Sequence, residues 1–473
     1  MAHGAPYHGR MRVRLIAFLA AVASVSPAAA QDAGPHDLEA RAILKELVEI
    51  NTTDSSGNTT TAAEAMAARL RAAGFPEADV QVMGPNPRKG NLVARLRGRG
   101  RGKPIVLLAH LDVVEALKSD WSADLDPFVF TERDGFFYGR GTSDDKFHAA
   151  IWIGNLIRYK REGWVPARDI VVALTADEEG GTSNGVKWLL ETHRDLMDAE
   201  YVLNEGGGGE LRGGKAVANS VQAAEKMYFS FAMEARDAGG HSSMPRKENP
   251  VYRLAAALTK LAAHQFPVEL NEITRGYFAG MAALETGQTA ADLKAAAQPV
   301  PDPPAVARLA ETSPLYNSMM RSTCVATGLS GGHAENALPQ VARAVVNCRL
   351  LPGTDPRAVI DTLKKVVADD AVTFSIVWDA VSSPASPLRP DVMGAVRKHT
   401  EELWPGAVVL PVMSAGATDG LYLRNAGIPT YGVEGVFADP NDVRAHGRDE
   451  RIGVKAFYDA REFLYRLVKT LGS

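Results

Sequence analysis

Two hydrophobic patterns alternate along the first half of the chain. Apolar residues at helical spacing mark residues 38–50, 62–73 and 146–159, whereas continuous aliphatic runs mark strands at 105–109 and 170–176. Polar residues follow each of these strands directly. Because ligands of open α/β sheets bind beyond the carboxyl ends of the strands, this layout predicts one site at that edge.

The pattern changes to that of an α+β unit at about residue 222 and returns to alternating helix and strand after Ser383-Pro384. Residues 281–314 are rich in Ala, Pro and Thr, a composition that predicts a mobile insertion. A chain of 473 residues also exceeds what one core usually organises. We therefore predict four segments: a signal peptide (1–30), a first part of the α/β domain (31–221), an inserted domain (222–381) and a second part of the α/β domain (382–473).

The N-terminal segment has the pattern of an export signal. Arg10, Arg12 and Arg14 precede the apolar run 15–25, and Ala28-Ala29-Ala30 offers a cleavage site of small residues. This run is shorter than the ~20 residues that a membrane-spanning helix needs. We expect the segment to be removed, which leaves a periplasmic or secreted protein without stable membrane insertion.

Composition narrows the classes of partner. The chain is 46% hydrophobic and 23% charged, as expected of a globular enzyme. Removal of the signal moves the formal charge from −4 to −7, because three arginines and no acidic residue are lost. No basic cluster occurs elsewhere, which argues against nucleic acid or an anionic membrane as partner.

The two cysteines, Cys324 and Cys348, are too few for a disulfide framework and too far apart for a cysteine-rich zinc site. They lie on two strand-like runs that could form a hairpin. Two interpretations are open at this point: a cross-strand disulfide in an oxidising compartment, or two buried free thiols.

Three adjacent carboxylates, Asp177, Glu178 and Glu179, follow the strand at 170–176. Like charges at the end of a buried strand repel one another unless a cation compensates them or one carboxyl stays protonated. No Arg or Lys occurs between Arg168 and Lys187, so a cation must come from elsewhere in the fold or from a bound metal. A solvated acidic turn is the alternative.

Further residues at strand ends or in loops are of the types that ligate metals: His110, Asp144, Glu179, Glu205 and His446. Asp112 follows His110 by two residues, at the spacing of a carboxylate that holds another group in orientation. Three carboxylates and two neutral imidazoles carry a charge of −3. Two divalent ions leave +1, which accommodates a hydroxide or an anionic substrate, so the charges favour two ions.

Five motifs resemble those of one enzyme family: Ala109-His110-Leu111-Asp112, residues 139–146, residues 177–181, Asn204-Glu205-Gly206-Gly207 and Gly240-His241-Ser242-Ser243. The chain resembles the dinuclear zinc family of aminoacylases, glutamate-type and yeast vacuolar carboxypeptidases, carnosinase-like dipeptidases and succinyl-diaminopimelate desuccinylase. Residues 121–130 and the long inserted domain are similar to the carboxypeptidase S and N-acyl-amino-acid hydrolase branch. The resemblance implies an α/β, zinc-exopeptidase-like catalytic domain with a mixed sheet flanked by helices, plus an inserted α+β lid and dimerisation domain.

The resemblance also implies the metal ligands. Asp144 bridges two Zn²⁺ ions, for which Co²⁺ or Mn²⁺ are alternatives. One ion is held by His110 and Glu205, the other by Glu179 and His446. The adjacent Asp145 is the rival of Asp144 for the bridging position.

Catalytic roles follow from the same resemblance. Glu178 acts as general base and acid for attack of a metal-bridging hydroxide on an amide carbonyl, and Asp112 orients His110. His241, on the lid, donates to the oxyanion and often comes from the partner subunit in this family, which implies a homodimer.

Substrate contacts are implied for Asn336, Arg349, Gly416 and Thr418. Asn336 could instead satisfy a hairpin, and Arg349 could form a structural ion pair. Carboxypeptidase-type relatives place an Arg for the substrate carboxylate near the lid's end, where residues 371–387 contain none, so Arg349 or Arg389 is the candidate substitute.

The function predicted from the sequence is an exported, metal-dependent hydrolase of short peptides or N-acyl amino acids. The alternative is a metal- or peptide-binding periplasmic protein without turnover. Glu178 favours the enzyme, because holding metal does not require it.

Overall fold

The computed structural model describes residues 33–473, so the predicted signal peptide lies outside the described residues. Within these residues the strands, in chain order, are β1 (Val80–Met83), β2 (Asn91–Leu96), β3 (Ile105–His110), β4 (Thr131–Arg133), β5 (Phe136–Tyr138), β6 (Ile170–Thr175), β7 (Tyr201–Asn204), β8 (Gly208–Arg212), β9 (Lys215–Glu225), β10 (Met227–Arg236), β11 (Gly240–His241), β12 (Thr323–Gly331), β13 (Ala337–Leu338), β14 (Val341–Leu350), β15 (Val372–Trp378), β16 (Val408–Ser414), β17 (Thr430–Gly432), β18 (Phe437–Ala438) and β19 (Arg451–Gly453).

The helices of the same residues, in chain order, are α1 (Pro35–Glu49), α2 (Thr59–Ala72), α3 (Lys146–Arg161), α4 (Gly185–Thr192), α5 (Arg194–Met197), α6 (Pro250–Ala263), α7 (Glu272–Met281), α8 (Gly287–Ala296), α9 (Pro303–Thr312), α10 (Pro314–Met320), α11 (Pro356–Val367), α12 (Pro390–Leu403), α13 (Gly420–Asn425) and α14 (Val454–Leu471). None of them is long and apolar enough to cross a bilayer.

The main sheet is mixed and has ten strands, in the order β1-β2-β6-β3-β7-β17-β9-β8-β18, with β16 paired to β9. Every residue of β3 and β6 is buried, as the continuous aliphatic runs predict for central parallel strands. Alternate residues of β3 enter cores on opposite faces of the sheet: Leu107 packs with α3 and α14 residues, and Leu108 packs with α4 residues. The predicted α/β class, with a mixed sheet flanked by helices, is confirmed.

A second sheet of four antiparallel strands, in the order β12-β14-β10-β15, is built from the middle of the chain. Helices α6 and α11 cover one face of it, where Leu254 and Leu363 are buried with Phe231. We call this sheet, its two helices and the short β11–β13 ladder of the same segment the lid unit. The predicted boundaries at residues 222 and 381 stay a prediction, since the long insertion packs elsewhere.

Residues 281–314 were predicted to be a mobile insertion, and this prediction is wrong. They form most of a helical layer, α7 to α10, whose Phe278, Leu293 and Leu309 are buried in one apolar cluster with Leu410 of β16. Alanine is the strongest helix former, and Pro303 stands in the first turn of a helix, where proline is tolerated. The Ala- and Pro-rich composition of residues 281–314 is therefore that of short helices.

Cys324 and Cys348 form a disulfide, which decides between the two interpretations left open by the sequence. They are directly opposite each other on the antiparallel strands β12 and β14. The bond closes a loop across a sequence separation of 24 residues. It thereby ties the edge strand of the lid unit to the strand beside it.

Removing this disulfide should destabilise the lid unit. Loop closure at that separation restricts the unfolded chain by about 3.5 kcal/mol, and Cys324→Ala/Cys348→Ala forfeits this contribution. The expected result is a lower melting temperature than wild type under non-reducing conditions. Equal melting temperatures, together with two free thiols in the unreduced wild type, would show that the bond does not form.

Candidate metal centre

The candidate site lies at one edge of the main sheet, where three neighbouring strands end. His110 is the last residue of β3 and is paired in parallel register with Thr175 of β6. The acidic turn follows β6 by one residue, and Glu205 follows β7. Parallel pairing of β6, β3 and β7 therefore brings these ligand types together, as the sequence pattern predicted.

Two groups of potential ligands share one carboxylate. In the first, His110 Nε2 lies 3.0 Å from Asp144 Oδ1 and 3.8 Å from Glu205 Oε2. In the second, His446 Nε2 lies 2.7 Å from Glu179 Oε1 and 3.1 Å from Asp144 Oδ2. Within each group the ligand atoms lie within 4.8 Å of one another. Asp144 thus presents one oxygen to each group.

The donor set suits two divalent cations. Imidazole nitrogen and carboxylate oxygen are ligands of zinc and of several other divalent metals. Three carboxylates converge here, and burial raises the pKa of Glu205 well above its ordinary value, with the charges of Asp144 and Asp145 adding to the effect. Divalent cations would offset this repulsion, so the residues present fit a pair of metal ions.

Asp145, the rival of Asp144, belongs to neither group. Its two carboxylate oxygens are buried and have no hydrogen-bond partner among residues 33–473. Oδ1 lies 3.5 Å from Nδ1 of His148, whose ring stacks on those of Phe147 and Trp152. The geometry therefore places Asp144, and not Asp145, between the two groups.

Asp112 has a different contact from the one that the sequence predicted. Nδ1 of His110 lies 3.0 Å from the main-chain carbonyl of Asp112, whereas the carboxylate is 3.7 Å away. The carboxylate instead accepts hydrogen bonds from the backbone N–H groups of Glu178, at 3.1 Å, and Glu179, at 3.0 Å. Asp112 therefore orients His110 through its carbonyl and positions the acidic turn through its side chain.

Glu178 is adjacent to the two groups and belongs to neither. Burial raises the pKa of its carboxyl well above the ordinary value, and the charges of Glu205 and Asp419 add to the effect. Asp419 is itself fixed by Asn184, which donates to one carboxylate oxygen, and by Thr175, which donates to the other. A buried carboxyl that lies beside two groups of metal ligands and belongs to neither is suited to transfer a proton.

The cation that compensates Asp177 is Lys89, which precedes β2 in the sequence and which sequence reasoning missed. Its ammonium forms a hydrogen-bonded ion pair with Asp177, and the two side chains are 10% and 1% exposed. Asp177 also accepts a hydrogen bond from the Ser183 backbone. No local signal links Lys89 to residue 177, because their contact depends on the pairing of β2 with β6.

Lys89→Met should destabilise the protein by about 3–5 kcal/mol, because it leaves the charge of the buried Asp177 carboxylate without a cation. Urea denaturation of the purified variant measures this loss. The matched control is Lys45→Met, which removes one member of the exposed pair with Glu49 and should change stability by less than about 0.5 kcal/mol. A Lys89→Met variant as stable as the control would contradict the prediction.

Glu450 is a second residue that sequence reasoning missed. Its carboxylate accepts hydrogen bonds from the backbone N–H groups of Gly141, at 3.1 Å, and Ser143, at 2.8 Å. The other oxygen pairs with Arg140 at 2.7 Å. Glu450 follows His446 by four residues in the sequence. Its hydrogen bonds to Gly141 and Ser143 therefore connect the segment that carries His446 to the segment that carries Asp144. A single glutamate outside any motif offers no sequence signal for this role.

His241 and Asn336 lie together on the lid unit's small ladder and not in the metal groups. His241 pairs with Ala337 in the β11–β13 ladder, and the Asn336 carbonyl accepts from the Ser242 backbone at 3.1 Å. Both side chains are exposed. The contact between segments therefore brings two distant motifs side by side.

Thr418 and Gly416 have local partners. The Thr418 backbone N–H and hydroxyl both donate to Glu225, at 3.1 and 3.0 Å, and Glu225 also pairs with buried Arg424. The Gly416 N–H donates to the Ser414 hydroxyl at 3.0 Å. Thr418 and Gly416 are therefore held in place by residues of β9 and β16. The predicted contacts of these two residues with a substrate stay predictions.

The two candidate arginines differ in their partners. Arg389 forms ion pairs with Glu200, at 2.8 Å, and Asp391, at 2.9 Å. Arg349, on β14, has no carboxylate within 4.0 Å among the described residues, and its guanidinium lies 4.7 Å from the Tyr228 ring centre. Burial lowers the pKa of Arg349. Arg349 is thus the guanidinium that remains available to an anion.

Comparison with curated proteins identifies similar hydrolases. The chain is 28% identical to the human N-fatty-acyl-amino acid synthase/hydrolase PM20D1 over 388 residues, which cover 78% of this chain and 74% of that protein. It is also 28% identical to the probable carboxypeptidase S-like 2 of Dictyostelium discoideum over 379 residues, with coverages of 78% and 71%. Both relatives carry names of the carboxypeptidase S and N-acyl-amino-acid hydrolase branch, which residues 121–130 and the long inserted domain resemble.

A solved structure shares the fold. The YXEP protein of Bacillus subtilis, a dinuclear metal-binding peptidase, superposes with a TM-score of 0.60 at 14% identity and covers 92% of this chain and 98% of its own. The sequence profile of peptidase family M20/M25/M40 matches residues 106–470, a range that contains His110, Asp144, Glu205 and His446. The chain is therefore a metallohydrolase that belongs to peptidase family M20/M25/M40.

Proposed function

We propose that this chain is an exported two-zinc hydrolase that cleaves the amide bond of short peptides or N-acyl amino acids. The observation that carries the proposal is the position of Glu178 beside two ligand groups that share Asp144, without membership in either. When bound, two divalent cations polarise a substrate carbonyl and lower the pKa of water towards neutrality. His110 and Glu205 would hold one ion, Glu179 and His446 the other.

Glu178 performs the proton transfers in this proposal. Its carboxylate accepts the proton of the attacking water, and the resulting carboxyl returns that proton to the leaving nitrogen, so that a neutral amine departs. Asp112 supports both glutamates of the turn, because its two carboxylate oxygens accept their backbone N–H groups. Two consecutive residues of the turn therefore have different roles: Glu178 transfers the proton and Glu179 ligates the metal.

The lid unit supplies the substrate contacts. His241 and Asn336 share one exposed ladder, from which a donor can reach the oxygen of the cleaved carbonyl. In a homodimer the partner's lid unit would bring these residues to the site. The exposed edge strand β12, with Val325 60% and Leu329 73% exposed, is a surface suited to that association.

Export is supported by the disulfide as well as by the N-terminal pattern. Structural disulfides persist in oxidising compartments and are rare in the cytosol. The bond between Cys324 and Cys348 therefore favours the periplasm or the extracellular medium over the cytosol.

The test is an assay of the purified mature protein on a panel of dipeptides and N-acyl amino acids, before and after chelation. We expect hydrolysis that disappears with the chelator and returns on addition of Zn²⁺, with Co²⁺ and Mn²⁺ as comparison ions. Hydrolysis that survives complete metal removal would overturn the mechanism. A protein with two bound metals that hydrolyses no member of the panel would instead support a binding protein.

Arg349→Gln should reduce kcat/KM for substrates with a free α-carboxylate by about 30-fold or more, because loss of one partner of a desolvated charge pair costs at least about 2 kcal/mol. The same substrates with a carboxamide in place of the carboxylate should show little change. Arg389→Gln is the matched control, since its ion pairs lie within the fold. If Arg349→Gln lowers kcat/KM equally for the carboxylate and the carboxamide substrates, Arg349 does not bind the substrate carboxylate.

A further inference from the structure

A cavity of about 220 Å³ lies where the chain crosses between the main sheet layer and the lid unit. Three crossings meet there: Lys226 joins β9 to β10, residues 264–271 join α6 to α7, and Arg321-Ser322 joins α10 to β12. The polar residues that line the cavity include His264, Gln265, Asn317, Arg321 and Thr323. None of the lining residues is acidic.

Arg321 carries the main charge of this cavity. Its residue is 7% exposed, and its Nη1 donates to Gln265 Oε1 at 2.7 Å and to the Phe266 carbonyl at 3.2 Å. Its Nε is buried and has no hydrogen-bond partner within residues 33–473. No carboxylate lies within 4.0 Å of its guanidinium among the described residues, and burial lowers its pKa. A buried guanidinium without an anion is costly.

Lys226 adds to the positive charge at the same crossing. Its ammonium donates to the carbonyls of Ser318 and Arg321, both at 2.8 Å, and forms no ion pair among the described residues. Burial and the neighbouring Arg349 lower its pKa to about 7. Lys226 is satisfied by carbonyl groups, whereas Arg321 keeps a donor without a partner.

Two further buried polar atoms without a hydrogen-bond partner among the described residues belong to residues that line the cavity. His264 Nε2 and Asn317 Oδ1 are buried and have no partner in the part of the chain that the structure describes. A histidine can carry its proton on Nε2, and a half-turn of the Asn317 amide exchanges its oxygen for its NH₂ group. Both side chains can therefore donate to a ligand that Arg321 attracts.

We propose that this cavity is a binding site for a small oxyanion, a carboxylate or a phosphate, held by Arg321 with His264 and Asn317 as further donors. Water can fill the volume, at ~30 Å³ for each molecule, but it does not neutralise a buried guanidinium. The site is separate from the metal centre and does not depend on the proposed hydrolysis. An anion there would contact both crossings at 264–266 and 317–321, and so would couple the lid unit to the main sheet layer.

Calorimetric titration with inorganic phosphate tests the proposal, with sodium acetate as the carboxylate arm and sodium chloride as the control for ionic strength. Because phosphate can also bind metal ions, the titration uses the Asp144→Asn variant alongside wild type. We expect binding that persists in Asp144→Asn and weakens at least about tenfold when Arg321→Gln is added. The matched control is Arg101→Gln, an exposed arginine outside the cavity, which should leave the affinity unchanged.

Several outcomes would overturn the proposal. Binding that is absent from Asp144→Asn would place the anion at the metal centre. Equal affinity with and without Arg321→Gln would exclude the cavity. If Arg321→Gln does not fold, crystals of Asp144→Asn grown with selenate decide the question: a selenium anomalous peak beside Arg321 Nε supports the site, and peaks only elsewhere refute it.

Discussion

Replacing Glu178 with glutamine should lower kcat by about 100- to 10,000-fold while both metal ions stay bound. This range is the usual contribution of a positioned general acid and base, and glutamine keeps the shape of the side chain but cannot accept the proton. KM should change little, because Glu178 contributes no ligand atom to either metal group. The fold should persist, since glutamine matches glutamate closely in size and shape.

The measurement pairs steady-state kinetics with metal analysis of the same sample. Glu178→Asp is the matched control: it keeps a carboxylate on a shorter side chain and should retain more activity than Glu178→Gln. A Glu178→Gln variant with two metals and activity within tenfold of wild type would remove Glu178 from the proton transfer. Loss of metal from that variant would show instead that Glu178 is a ligand.

Replacing Asp144 with asparagine should remove both metal ions and lower activity by about 1,000-fold or more. Asp144 is the one carboxylate that reaches both groups, with Oδ1 3.0 Å from His110 Nε2 and Oδ2 3.1 Å from His446 Nε2. A neutral amide removes one negative charge from between two cations, and the metals account for several kcal/mol of transition-state stabilisation. Metal content should fall from two ions per chain to less than one.

Asp145→Asn is the informative comparison, because it makes the same exchange of one carboxylate oxygen for an NH₂ group in the adjacent aspartate. Asp145 offers no oxygen to either group, so this variant should keep both metals. Mass spectrometric metal analysis of both variants, with circular dichroism to confirm folding, separates the two residues. If Asp145→Asn loses metal and Asp144→Asn keeps it, the bridging position belongs to Asp145.

Local patterns were sufficient for the elements that form the site. The aliphatic run before Asp177 predicted a buried strand, and its ending at Thr175 places the acidic turn at the sheet edge. Composition was insufficient for residues 281–314, because alanine and proline occur both in mobile segments and in short capped helices. Only the burial of Leu293 and Leu309 in one apolar cluster with Phe278 and Leu410 distinguishes these two cases.

The contacts within the site depend on the chain's path. Asp144 and Asp145 are identical and adjacent, so their sequence offers no physical basis for choosing between them, whereas their side chains point to different surroundings in the fold. The fold likewise decides which group of Asp112 is the partner of His110 Nδ1. Two residues after His110, both the carbonyl and the carboxylate of Asp112 are within reach of the imidazole. The carboxylate accepts hydrogen bonds from the backbone of Glu178 and Glu179, and the carbonyl is left to contact His110.

By itself, the sequence determined the α/β class, the strands that end at the site and the residue types suited to two metal ions, because periodicity and strand ends are encoded by neighbouring residues. The tertiary structure alone decided which side chains meet. Lys89 and Asp177 are 88 residues apart, Gly141 and Glu450 are 309 apart, and Arg349 differs from Arg389 only in its neighbours. Such pairs form because strand pairing and packing bring distant segments together, and no local pattern records that path.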